Sequence, residues 1–144
     1  MRRSIARARR FTAADWRLLA AASIAQIAAA CALRTMTLPA LRIACARLRP
    51  VAAWLMRGSA DRVIWAIDAT GRRLGGVSTC LVRALVAETC LSTPERPLRV
   101  LIGVRRGAIG ELRAHAWVDE QGRTLIGESS EEFVTMLAWD RVPA

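Results

Sequence analysis

Two side chains stand out by type and placement. Cys80 follows Gly75-Gly76-Val77-Ser78-Thr79, where a glycine-rich loop gives way to an apolar stretch that reads as a buried helix. A thiol on the first residue of a helix meets unpaired main-chain N–H groups and the positive end of the macrodipole, a setting that suits a nucleophilic sulfur. His115 is the only histidine, and it sits in a strand-like alternation between Ala114 and Ala116, with Trp117 next. A cysteine heading a helix, then a histidine on a strand, then an acid on the next strand is the order of thiol acyl transfer. The sulfur attacks a carbonyl, the imidazole takes and returns the proton, and the carboxylate orients the ring. Each residue alone has a plainer reading, as a small core thiol or a structural imidazole. Their combination carries the chemistry.

Asp119 and Glu128 compete for the acid's role. Asp119 lies four residues along the same strand, and at about 3.3 Å per residue its Cα is roughly 13 Å from that of His115, too far for a carboxylate to reach the ring. A two-residue turn at Gln121-Gly122 pairs Glu120 with Arg123, which sets Glu128 opposite His115 with both side chains on one face. Glu128 is therefore the expected third member. A one-residue slip of the strands would turn it away.

Composition removes several other chemistries. All 22 basic residues are Arg; there is no Lys, Asn or Tyr. A lysine Schiff base, a P-loop lysine and a two-histidine zinc site are excluded. The cysteines Cys31, Cys45, Cys80 and Cys90 form no CxxC pair, so neither a metal nor a redox motif is indicated. Reduced thiols in a cytoplasmic protein are expected, with Cys31, Cys45 and Cys90 inside helical apolar patterns as buried core residues. No cofactor or metal is expected.

The net charge of +10 is unevenly placed: residues 1–60 carry eleven Arg against the single acid Asp15, whereas residues 61–144 carry eleven of each sign. An N-terminal block of this kind is a solvated arm, a nucleic-acid contact or a docking surface for an acidic partner. No zinc finger, aromatic sheet motif or helix-turn-helix signature accompanies it, so nucleic acid is not the expected partner. The uncharged run Leu18 to Leu33 imitates a signal peptide. It is 16 residues long and half Ala, with Ser23 and Gln26 inside, which is short and weakly apolar for a membrane span. A buried amphipathic helix is expected there, without membrane insertion.

The elements that must position these residues follow from periodicity. Thr12 and Asp15 open a long helix ending near Arg34, with Trp16, Leu19, Ala20, Ser23, Ile24, Ile27 and Cys31 as its apolar series. A second helix runs from Thr37, with Pro39 in its first turn, to Gly58, and Pro50 should bend or split it. Ser59 caps a third, carrying Val63, Ile64 and Ile67 to about Arg73, and Gly75-Gly76 break it. The fourth starts after Ser78-Thr79 and reaches Cys90; it is apolar nearly all round, as a central buried helix should be. Past Pro94 and Pro97 the period becomes two. Strands are expected at Leu98 to Val104, Leu112 to Asp119 and Arg123 to Ile126, then a short helix or final strand within Glu131 to Trp139. Helices followed by an antiparallel meander make an α+β fold in one globular domain: an Arg-rich arm over residues 1–11, a helical region over 12–75 and a catalytic core over 76–144.

Ser78-Thr79-Cys80-Leu81-Val82-Arg83-Ala84-Leu85, Leu101-Ile102-Gly103-Val104, Ala114-His115-Ala116-Trp117-Val118-Asp119, Gly122-Arg123 and Ile126-Gly127-Glu128 resemble, in order and spacing, the transglutaminase-like leader peptidases of lasso-peptide biosynthesis. The resemblance spans about Arg57 to Trp139. It implies a papain-like fold and a cysteine protease, working without metal or ATP, that removes the leader from a ribosomally made precursor. The freed core then passes to a separate ATP-dependent lasso cyclase. By position Cys80 matches the nucleophile and His115 the base. The family's aspartate position falls near Gly127, where only the adjacent Glu128 is acidic. Relatives often carry a fused winged-helix domain that recognises the leader. The first 75 residues show no β-hairpin pattern, so a separate leader-recognition protein is expected to dock on the Arg-rich helices. Two other readings remain: a transglutaminase-like acyl or amide transferase that resolves the thioester with an amine, and a non-enzymatic basic interaction module.

Overall fold

A computed structural model describes residues 11–141. Apart from Phe11, the expected Arg-rich arm lies outside them. Helix α1 (Ala13–Thr35) begins on a capping box in which the Thr12 hydroxyl accepts from Asp15 N–H and the Asp15 carboxylate accepts from Thr12 N–H, satisfying two end groups reciprocally. Helix α2 (Leu38–Leu55) follows at once, with Pro39 in its first turn. Pro50 does not split it. Its missing N–H forfeits one main-chain bond, but Ala46 and Arg49 are buried just before it and Arg49 pairs with Glu88 on the neighbouring helix, which holds α2 in place. Helix α3 (Ala60–Leu74) starts after Ser59, which occupies the cap position without a side-chain bond, and ends on Gly75 at φ 53°. A 3₁₀ turn (Gly75–Val77) leads into α4 (Cys80–Leu91).

The inner face of α1 differs from the expected one. Leu18, Ala22 and Gln26 are buried, whereas Trp16 (59% exposed), Ile24 (69%) and Ile27 (45%) face outward, and Cys31 is exposed too. The alanine-rich side lets α1 approach α3 and α4 closely, and only that side brings the Gln26 amide to polar partners. Among the described residues α1 is the one helix long and apolar enough to cross a membrane by length and composition. Leu48 and Leu55 of α2 are exposed as well.

Helix α4 is the centre of the molecule. It packs against α1, α2 and α3 on one side and the sheet on the other, and seven of its twelve residues are buried. At about 1.5–3 kcal/mol per fully buried large aliphatic side chain, the buried Val82 and Leu85 of α4 together with Leu98, Val100 and Val118 are a principal source of stability. The buried Arg49–Glu88 pair sits beside them. Burial pushes the Glu88 carboxyl up against the opposing pull of Arg49.

The strands are β1 (Arg99–Arg106), β2 (Leu112–Glu120), β3 (Arg123–Ile126) and β4 (Val134–Trp139), all antiparallel, in the order β3-β2-β1-β4. The first three form the expected meander. The fourth does not continue it but returns to pair with β1, so the β-branched run of β1 is flanked on both edges. Val100, Ala116, Val118 and Ile126 point into the core. Alternation puts Leu101, Gly103 and Arg105 of β1, with their partners Trp117, His115 and Arg113, on the outer face. The segment between β3 and β4 covers that face: Glu131 pairs with Arg105 and Arg113, and Phe133 lies against His115.

Candidate active site

The loop before α4 is held from below. Gln26 is fully buried; its amide N–H donates to Ile67 O (3.1 Å) and Thr70 Oγ1 (2.6 Å), and its carbonyl accepts from the Ser78 hydroxyl. Gly71 of α3 makes room for this knot, since a Cβ there would meet Ser78 Oγ at 2.8 Å. One α1 side chain thus ties α3 to the residue two positions before Cys80. Replacing Gln26 with Leu should strand the buried Ser78 hydroxyl, whereas Thr70 keeps its bond to Ala66 O (2.7 Å), at about 1–3 kcal/mol, a fall in Tm of several degrees by thermal denaturation. An unchanged Tm would show that the knot does not hold the loop.

Cys80 is half-buried as the first residue of α4. The Thr79 cap accepts from Val82 N–H (3.3 Å), which leaves the N–H groups of Cys80 and Leu81 without a partner among the described residues. They are the natural donors for an oxyanion formed at the sulfur's target. Two other thiols are poorly suited to attack: burial pushes Cys90 up to about 12 and raises Cys45 as well. Cys31, expected in the core, is on the outside of α1. No group of three or more His, Cys, Asp or Glu that could hold a metal ion occurs among the described residues.

His115 is half-buried on the outer face of β2, between the rings of Trp117 (centroids 6.0 Å apart, 18° between planes) and Phe133 (5.2 Å, 35°). Opposite it, Gly103 leaves space that a Cβ would lose to Phe133 Cβ at 2.9 Å and Trp117 Cη2 at 3.0 Å. The ring borders an open cavity of about 330 Å³ shared with Thr124, Glu128 and Glu131. Its Nε2 lies 2.6 Å from Gly127 O. No hydrogen bond joins His115 to Cys80; the side of β2 that packs on α4 is that of Ala116 and Val118.

The hairpin between β2 and β3 corrects the expected pairing. Gln121 and Gly122, both at positive φ, make the two-residue turn, and Glu120 faces Arg123 as foreseen. A bulge between Val118 and Asp119 then shifts the register by one, so that Val118 faces Ile126. β3 ends at Ile126, before Glu128, so the pairing that would set Glu128 opposite His115 does not form. Glu128 lines the cavity without bonding to His115. Asp119 is engaged in the turn, accepting from Gly122 N–H at 3.0 Å. The sequence signal for the change was Gly127, at φ 84°, which interrupts the strand that the expected pairing carried through it.

A family model of the transglutaminase-like superfamily matches residues 23–138. The chain belongs to the transglutaminase-like superfamily. No curated protein and no solved structure gives a match. The matched region reaches back into α1. Four helices followed by a four-stranded antiparallel sheet are its α+β fold, and the superfamily includes cysteine proteases and transferases.

Proposed function

We propose that this chain is a cysteine peptidase that releases the leader of a ribosomally made lasso-peptide precursor, with Cys80 as nucleophile and His115 as base. The observation that carries the reading is Cys80 at the head of α4 in a transglutaminase-like domain whose lone imidazole stands on a strand packed against that helix. In the reaction, Cys80 Sγ bonds to the scissile carbonyl carbon as its proton passes to the imidazole, and the N–H groups of Cys80 and Leu81 hold the oxyanion. The carbon–nitrogen bond breaks and the departing amine takes that proton. Water then attacks the thioester, gives a proton to the ring, and the carboxylate leaves as the thiol re-forms. In the free protein His115 stands on the face of β2 turned away from α4, so this reading requires a rearrangement of the sheet that brings the ring to the head of the helix.

The outer faces of α1 and α2 support a protein partner. Trp16, Ile24, Ile27, Leu48, Val51 and Trp54 are exposed there, a spread of apolar surface unusual for an unpartnered helix pair. Arg17, Arg34, Arg47 and Arg57 lie among them, and the one acid, Asp15, is buried against Arg62. An acidic leader-recognition protein fits such a surface, as does an acidic leader; an ATP-dependent cyclase would act on the freed core in the cytoplasm. The purified chain should cleave the precursor slowly and gain activity when the recognition protein is added. That gain should shrink with salt as the screening length falls from about 10 Å at 0.1 M to about 3 Å at 1 M. Cleavage assayed by mass spectrometry across this range tests it, and full activity of the lone chain with no response to the partner would refute the split arrangement. The mass of the new terminus decides between water and an amine as acceptor: a free carboxylate on the leader supports the peptidase, an amide the transferase.

A further inference from the structure

We infer that the main-chain carbonyl of Gly127, and not a carboxylate, is the group that orients His115, fixing the Nε2–H tautomer and leaving Nδ1 as the nitrogen that exchanges protons. The contact is direct: Nε2 lies 2.6 Å from Gly127 O. A carbonyl oxygen can only accept, so the proton of the neutral ring resides on Nε2 and the lone pair on Nδ1.

Several features deliver the carbonyl to that spot. The bulge at Val118/Asp119 shifts the pairing by one residue so that Ile126 faces Val118, and Gly127 then adopts φ 84°, a conformation side chains resist. It also runs so close to β2 that a Cβ would meet Ala116 O at 2.7 Å and Trp117 Cα at 2.9 Å. Trp117 and Phe133 flank the ring. The nearby acids are engaged elsewhere or do not reach it: Asp119 caps the turn, Glu131 pairs with Arg105 and Arg113, Glu120 pairs with Arg96, and Glu128 lines the cavity without a bond to the ring. Gly127 is thus a positioning residue acting through its backbone. That the freed Nδ1 serves Cys80 rests on the peptidase reading; the tautomer itself does not.

Because His115 is the only histidine, long-range proton–nitrogen NMR of the full chain with labelled histidine reports this ring alone and needs no substrate. At alkaline pH, where the ring is neutral, Nε2 should resonate as a pyrrole-type and Nδ1 as a pyridine-type nitrogen, and Glu128→Gln should leave that pattern unchanged. Gly127→Ala, which must displace the carbonyl, should turn the single tautomer into an averaged pair. An Nδ1–H tautomer or averaged nitrogens in the wild type, a switch on Glu128→Gln, or an unaltered spectrum in folded Gly127→Ala would each overturn the assignment. Should Gly127→Ala not fold, the wild type and Glu128→Gln decide it. A failed cleavage assay would leave the tautomer result standing, so the two readings fail separately.

Discussion

Changing Cys80 to alanine should abolish leader release while the protein stays folded. The expected loss is complete because no other thiol can take over. Cys45 and Cys90 are raised by burial and line the apolar groove between α1, α2 and α4, and Cys31 projects from the outside of α1. The stability effect should be small: the sulfur is half-buried at a helix end, whereas the loop's anchorage lies in Gln26 and Ser78. Leader release followed by mass spectrometry, with Tm measured alongside, separates the two effects. Cleavage at the wild-type rate in Cys80→Ala, or its loss in Cys31→Ala instead, would remove Cys80 from the chemistry.

The His115→Ala variant should lose on the order of 10²- to 10⁴-fold in kcat, the usual contribution of a positioned base, because no second imidazole exists. Part of the damage will be structural, since the ring fills the slot between Trp117 and Phe133 and donates to Gly127. Added imidazole discriminates. The slot opens on a cavity of about 330 Å³, which admits a free imidazole, and cleavage by His115→Ala should rise with its concentration while wild-type cleavage does not. A variant with unchanged kcat would show that His115 is not the base. A loss of activity matched by loss of the folded state, with no rescue, would make the residue structural.

The sequence carried the elements well and their faces less well. Thr12 with Asp15, Pro39, Gly75-Gly76 and Thr79 mark helix ends by local chemistry, and each stands within a residue or two of where the helix begins or stops. The change from period 3.6 to 2 located three strands. Which side of α1 faces inward was not legible, because apolar residues occur all round it: Leu18 and Ala22 are buried, whereas Ala20, Ile24, Ile27 and Ala28 are exposed. The choice of side depended on a buried amide finding Ile67, Thr70 and Ser78, partners more than forty residues away. Cys80 and His115 were visible as residues of the right kind on adjoining elements. The acid was not, since its placement relied on regular pairing through Val118, and a bulge is a two-strand event that neither strand's pattern announces alone. The return of β4 to β1 is likewise a long-range pairing.

On the proposed reading the half-buried Cys80, and not the more accessible Cys31, is the thiol that meets a carbonyl substrate. An electrophilic peptide made from the precursor's leader and ending in an aldehyde or vinyl sulfone at the cleavage position tests this directly, with the modified cysteine located by peptide mapping. Stoichiometric modification of Cys80, with Cys31 untouched and unmodified leader competing, is the predicted result. Labelling that follows exposure, with Cys31 modified first and Cys80 spared, would contradict it.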